Sequence, residues 1–547
     1  ISICQNEIHS AKVAQGQTVK RLTISDLAKA DAVVVVGADP NHSLPVVSYH
    51  LKRAAKDGVP LIVIDPRKTE LVNFAAQWLP IKPQSDLELL NALAALLHQT
   101  SDYDSEFIDR YAEGFSLFTY ALSSLDMDKV CRMTGLQMQQ LKAMTELLKE
   151  KRIAFVIGHG ILQQRYGVHT LGAILNLSLM SGSLGKPGAG IYILARENNQ
   201  NGAMDMGSVP DLLPGRMPLA EDGSRKTWEK NWAVKISPDP GLNMCRVIEA
   251  AESGRLKALY IMGENPLRSL PQPQRVKAAL ENLEFIAVQD ILDSELIQLA
   301  DVVLPGTIWL EEIGAKSTNT HIHLCERALP PAGNARPVYE VYKGLAQRLD
   351  VDDVYPWPDQ EAAMNATLDH PATGHATVQT LRDNGGRVAL NVSHVAYPDF
   401  AFATPSGKIE FHSSSAASMG LPPLPQAPDT APIQGALTLT HGRTFAHFHA
   451  FYDHGRALPT LAAREDVAEL WIAPQDAAAR GIADAMHVRL SNAKGSFEAR
   501  AKVTNRIPQG TVWMRDGWPG LNALTDASSV LPEKALACFP FSVGQSR

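Results

Sequence analysis

The stretch DAVVVVGADPNHSLPV (31–46), continued by LIVIDPR (61–67) and QWLP (77–80), decides the fold, because the chain contains it twice. The second copy reads LYIMGENP (259–266), FIAVQD (285–290) and DVVLP (301–305). Gly37 and Asp65 lie 28 positions apart, Gly263 and Asp290 lie 27 apart, and each aspartate precedes a proline (Pro80, Pro305) by 15. Each copy is an apolar strand ending in Gly-x-(Asp/Asn)-Pro, a helical stretch, and a second apolar strand ending in Asp. That is a βαβ unit. In open parallel sheets, ligands sit at the carboxyl ends of the strands. Two such ends imply two related binding sites, or one ligand with two similar halves.

Outward from the first copy, residues 1–30 read as a helix and 44–56 as the amphipathic crossover. A helix is expected at 86–98, with Asp86 as candidate cap. Residues 105–150 read as helical and polar, IAFVIGHG (153–160) as a third strand, and 171–185 as a buried helix closed by glycine. The Gly-, Asn- and Pro-rich stretch 185–215 reads as a long packed loop. Residues 345–430 read as irregular, with LPPLPQAPDTAP (421–432) as linker. From about 435 the apolar pattern turns to period two, with SNAKGS (491–496) as a hairpin turn and PQDAAARGI (474–482) as a short helix. The expected organisation is an α/β domain at 1–197, a second at 198–345, a Pro-rich connection at 346–432 and a β-barrel domain at 433–547.

At 547 residues the chain exceeds one compact core. A net charge of −7 gives no reason to expect nucleic acid or an anionic membrane as partner, and no apolar run reaches transmembrane length. Five cysteines without a CxxC pair fit reduced thiols and a cytoplasmic location. The chain begins at Ile1, so it is expected to be the remainder of a longer polypeptide.

The residues suited to chemistry cluster at the strand ends: Gly37, Asp39, Asp65, Gly158, Gly160, Gly263, Glu264, Asn265, Gln289 and Asp290. Glycine lets a phosphate approach the backbone, and an acid at the next strand end binds hydroxyls or amines. One copy alone would be a tight strand-to-helix turn; two in register favour a ligand. Arg196-Glu197-Asn198-Asn199 with Asp205 reads equally as a polar ligand edge or a hydrogen-bonded loop. THGRTFAHFH (440–449) gathers His441, Arg443, His447 and His449 without the ligand spacing of a zinc site, and suits phosphate better. No GxGxxG, GxSxG, HExxH or Walker A pattern occurs.

Taken together, these residues resemble the molybdopterin oxidoreductase superfamily, most closely formate dehydrogenase alpha subunits. The resemblance rests on the strand ends above and on GHGILQQRYG (158–167), MSGSLGKPGAG (180–190), NNQNGAMDMGSVPDLLPG (198–215), TPSGKIEF (404–411) and THGRT (440–444). It implies two pseudo-symmetric Rossmann-like domains (doubly wound parallel sheets) and a six-stranded double-psi-type β-barrel. It also implies two molybdopterin guanine dinucleotides on one molybdenum or tungsten. One dinucleotide would take Gly37, Asp39, Asp65, Arg67 and Asp86, and the other Gly263, Glu264, Asn265, Gln289 and Asp290. Gly158, Gly160 and Gln163 would approach the pterins, and His441, Arg443, Thr444, His447 and Asn522 would come from the barrel. Cys4, 33 positions before Gly37, matches the family's metal ligand, and Arg196 would orient a small anionic substrate.

By the same resemblance, electrons would pass to iron–sulfur or flavin subunits, with a 4Fe-4S cluster upstream of this chain or in a partner. The chain departs from formate dehydrogenases at Gln5, where they carry His, and at Ala195, where they carry Arg. The departures leave the substrate open. They keep two other readings in view: a metal-free electron-transfer subunit like the large subunit of NADH–quinone oxidoreductase, and a non-redox hydratase or hydroxyltransferase.

Overall fold

The computed structural model describes residues 22–149, 151–162, 164, 166–194, 199–402, 404, 406–418, 420–426, 436–446, 459–525 and 545–546. They divide into two compact units: 6–196 with 393–547, and 197–392.

In the first unit, β1 (Ala32–Val36) lies between β2 (Leu61–Ile64) and β4 (Ile153–Ile157), flanked by β3 (Gln77–Leu79) and β5 (Gly190–Ile193). All the pairings are parallel, with Val36 opposite both Ile64 and Ile157. Every residue of β1, β2 and β4 is buried. Unbroken Val/Ile/Leu runs without alternation are what a parallel sheet covered on both faces requires. The crossover is α1 (Pro45–Lys56). Helices α2 (Asp86–Gln99) and α3 (Gly167–Met180) are apolar around most of their circumference and accordingly buried. Ser85, not Asp86, is the N-cap of α2. Of the helix expected at 1–30, residues 1–21 lie outside the described residues, and Ile24–Lys29 form a short 3₁₀ helix.

The second unit repeats the start of this path: β6 (Ala258–Met262), β7 (Phe285–Asp290) and β8 (Val302–Pro305) pair in parallel, in the order β8-β7-β6. An antiparallel sheet follows, formed by β9 (Gly314–Ser317), β10 (His321–Cys325) and β11 (Arg387–Ala389). The stretch expected to be a loop contains α4 (Gln200–Asp205) and a small hairpin, Leu212–Leu213 with Met217–Pro218. Residues 346–392, expected to be irregular, contain α5 (Gln360–Leu368), α6 (Val378–Asp383) and β11. Composition misled here because the polar residues are caps: Asp359 accepts from the Ala362 amide at 2.8 Å and Thr377 from the Thr380 amide at 3.0 Å.

The C-terminal part is a six-stranded mixed sheet: β12 (Leu437–Gly442), β13 (Glu469–Ile472), β14 (His487–Ser491), β15 (Ser496–Val503), β16 (Thr511–Arg515) and Gln545–Ser546. β12 and β16 are parallel, as are β13 and β15. The β14–β15 hairpin closes through Asn492, whose side chain accepts from the Lys494 and Gly495 amides. No helix among the described residues is long and apolar enough to cross a membrane.

Candidate functional site

The first copy's strand ends and the end of β12 meet around a cavity of about 210 Å³ within the first unit. Gly37, Asp39, Asp65, Arg67, Asp86, Gly158, Gly160, His441 and Arg443 all line it. Gly37 has φ +54°, and a Cβ there would lie 2.7 Å from Ile161 Cγ2. Glycine is therefore required both for the backbone turn and for the close approach of the β4 end. The Gly160 amide donates to the Gly37 carbonyl at 3.0 Å, which draws the two strand ends together beyond the sheet.

Asp39 takes the N-cap position of the short turn Pro40–Ser43. Its Oδ2 accepts from Arg67 Nη2 at 2.6 Å and from His42 Nδ1 at 2.9 Å, whereas its buried Oδ1 has no partner among the described residues. Burial pushes this carboxyl up, but His42 and Arg67 outweigh it, and the group is held below the usual aspartate range. The Arg67 guanidinium stacks on Trp513 of β16, its carbon 4.7 Å from the ring centroid. A planar cation fixed on an aromatic face presents its remaining N–H groups in a set direction. Asp65 accepts from the Arg67 amide at 2.8 Å; burial pushes its pKa up to about 7, against the pull of Arg67. Asp86 accepts from Gln164 Nε2 at 3.0 Å and is pushed by burial up to about 6. The site thus holds one fixed ion pair and two carboxyls that can either donate or accept near neutral pH. Such a set suits phosphate, ribose and an amino-substituted base.

The β12 end is held from behind. Glu465 accepts from Thr444 Oγ1 at 2.8 Å and pairs with buried Arg515 at 2.7 Å. Burial lowers the Arg515 pKa, while Glu465 pulls the other way. Thr444 is therefore anchored to Glu465 and does not line the cavity; Asn522 stands in the turn Leu521–Leu524, also off the cavity lining. His42, Gln164, Trp513 and Asp516 line it unforeseen. Gln164 adjoins the anticipated Gln163, but nothing in the sequence ties Trp513 to Arg67.

The second copy reproduces the backbone. Gly263 has φ +58°, and its amide donates to the Gln289 carbonyl at 2.9 Å, as the Gly37 amide does to Ile64 at 3.0 Å. Asn265, at φ −121°, takes the N-cap position of Pro266–Ser269 as Asp39, at φ −120°, takes that of Pro40–Ser43, but only the Asn265 side chain accepts a capping amide, from Leu267. The side chains differ. Gln289 is buried, donating to the Arg336 carbonyl at 2.9 Å and accepting from the Tyr260 hydroxyl. Glu264 accepts from the Ser269 hydroxyl, and Asp290 is pushed up by burial; among the described residues neither forms an ion pair. Asn199 and Asp205 are engaged within the protein. Asn199 accepts from the Ser317 amide at 3.0 Å and donates to the Ala315 carbonyl at 3.2 Å, and Asp205 pairs with Arg216 at 2.8 Å. Cys4, Gln163, Arg196 and His447 lie outside the described residues. Cys131, Cys245 and Cys325 form no disulfide among the described residues.

Residues 4–348 match the family model described as Molybdopterin oxidoreductase, and 437–534 the Molydopterin dinucleotide binding domain. The YrhE protein of Bacillus subtilis is 31% identical over 499 residues, covering 90% of this chain, which spans only 50% of that protein. The F420-dependent formate dehydrogenase subunit alpha of Methanocaldococcus jannaschii is 29% identical over 528 residues, covering 94% of this chain and 76% of the relative. Among solved structures, acetylene hydratase from Pelobacter acetylenicus superposes with a TM-score of 0.80 at 19% identity, over 100% of this chain and 80% of that one.

Proposed function

Because the chain belongs to the molybdopterin oxidoreductase family, we propose that it is the catalytic subunit, or the larger part of one, of a bis-molybdopterin guanine dinucleotide enzyme of the formate dehydrogenase type. The observation that carries this reading is the convergence of Asp39, Asp65, Arg67 and Asp86 with His441 and Arg443 on one cavity. The buried Asp39 Oδ1, without a partner among the described residues, supports it further, because a buried acceptor calls for a donor and a ligand can supply one. The donor set fits a dinucleotide: Arg67 supplies cationic N–H groups, and Asp65 and Asp86 supply carboxyls able to meet ring N–H groups or ribose hydroxyls. The second strand-end set, Gly263, Glu264, Asn265 and Asp290, would take the second dinucleotide by the same backbone geometry, with Gly158, Gly160 and Gln163 near a pterin. The finer architecture proposed is two Rossmann-like domains and a double-psi barrel built on the C-terminal sheet.

When bound, the metal–pterin group would supply two-electron redox chemistry. Cys4 would be the protein's thiolate to the metal, and Arg196 would orient a small anion such as formate. The electron acceptors proposed are iron–sulfur or flavin partner subunits. Elemental analysis for molybdenum and tungsten, with guanine-nucleotide release, tests this on the natively purified protein. About one metal and two nucleotides per chain are expected from the two strand-end sets. Neither metal nor nucleotide in an intact preparation would make the chain a scaffold, and the reading would fail.

A further inference from the structure

The antiparallel sheet β9–β10–β11 has two unlike faces. Ile322, Leu324, Ala315 and Val388 turn to a small core with Leu368, Val378 and Leu381 from α5 and α6. On the other face the register sets Lys316 directly opposite His323, and His323 directly opposite Arg387. His321 lies on the same face, its ring 6.0 Å from that of His323. Directly opposed residues have Cβ atoms about 5 Å apart, and like charges in that relation destabilise a sheet. Here the arrangement runs across all three strands of a chain whose net charge is −7. Among the described residues, neither Lys316 nor Arg387 forms an ion pair with a carboxylate. Burial, together with Lys316, His321 and Arg387, holds the His323 imidazole below its usual range. Cys325 continues the face, yet no three metal-ligating groups stand together among the described residues. The chemistry of the row is therefore that of an anion receptor.

We propose that this face binds a small oxyanion, held by Lys316 and Arg387 on either side of His323. A carboxylate or phosphate placed over His323 meets one cation from each neighbouring strand. The site stands at the foot of the NNQNGAMDMG segment: Asn199 grips β9 at Ala315 and Ser317, on either side of Lys316. That formate should be one of the ligands rests on the proposed function; anion binding itself does not.

The test is a titration of the full metal-free chain, carrying ring-labelled histidine, with inorganic phosphate, formate or chloride at constant ionic strength. Phosphate should move the His323 titration to higher pH, and Lys316→Gln and Arg387→Gln should each weaken its binding about tenfold. Arg387 is exposed, so its variant keeps the fold if the Lys316 variant does not. A response to formate as well would mark the site as one for the proposed substrate class; a response to phosphate alone would keep the receptor and separate it from that substrate. No response to phosphate or formate, or an equal response to chloride, would overturn the proposal.

Discussion

The two βαβ copies follow the same backbone and live in different surroundings. β1 and β2 are wholly buried in a five-stranded sheet, whereas β6–β8 form a sheet of three in which Met262, Phe285, Val302 and Val303 are exposed. At the strand ends, Gly37 is pressed by Ile161 and Gly160, while a Cβ on Gly263 would meet nothing within 4 Å. The first end carries a part-buried ion pair backed by an aromatic ring; at the second, Glu264 and Asp290 form no ion pair among the described residues. The shared turn is therefore set by local sequence, Gly-x-(Asp/Asn)-Pro, and the charge and rigidity of each end by what packs behind it.

The largest break in this comparison should come from the glycines. Gly263→Ala should cost about 1 kcal/mol for its positive φ alone. Gly37→Ala adds a steric clash and should cost about 2–4 kcal/mol; matching melting curves for the two variants would refute the close-approach argument. Next comes Arg67→Ala. It leaves the part-buried Asp39 carboxylate with His42 as its hydrogen-bonding partner and Arg506 as a more distant charge, and should cost about 2–3 kcal/mol in urea unfolding. Arg268→Ala, which removes a partly exposed pair with Glu295 in the second copy, should cost no more than about 1 kcal/mol. Equal losses would show that the two ends are energetically alike.

The pH dependence is smaller and has a definite sign. Asp65 and Asp86 are pushed up to about 7 and about 6, so the native state binds protons that the unfolded state has released. Their contribution makes the ligand-free protein less stable as pH rises from the ordinary aspartate range to about 7, with no further loss above. Asp86→Asn should flatten the part of this slope below about 6; an unchanged pH profile would mean that the carboxyl is solvated. The smallest contrast lies in the strands. Val303→Thr, on the exposed β8, should stay within about 0.5 kcal/mol of the parent, whereas Val34→Thr buries a hydroxyl in the sheet and should cost about 1–3 kcal/mol.

The repeat is legible in the amino-acid sequence because apolar runs and Gly-x-(Asp/Asn)-Pro ends are local signals, and the pairings Val36–Ile64 and Val288–Val303 follow from them. The β14–β15 hairpin is legible for the same reason. What escapes such a reading depends on distance along the chain. Trp513 serves the site only because β16 brings it over Arg67, and Gln289, at the strand end as expected, is held by Tyr260 and Arg336. In 346–392 the proline and glycine content points to irregular chain, whereas the capping residues Asp359 and Thr377 are the better guide.

The wall that Trp513, His441 and Arg443 give the first cavity has a consequence for synthesis. Asp39, Asp65 and Arg67 leave the ribosome early, and the side chains facing them leave late. Between Arg67 and His441 lie 374 positions, about 20–75 s of translation at ordinary rates of roughly 5–20 residues per second. Throughout that interval the growing chain carries half a site, with an ion pair whose aromatic backing has not been made. The cavity can mature only after the interposed residues have been made and β12 and β16 have returned to β1 and β2, so whatever it holds must be loaded after Trp513 has been made.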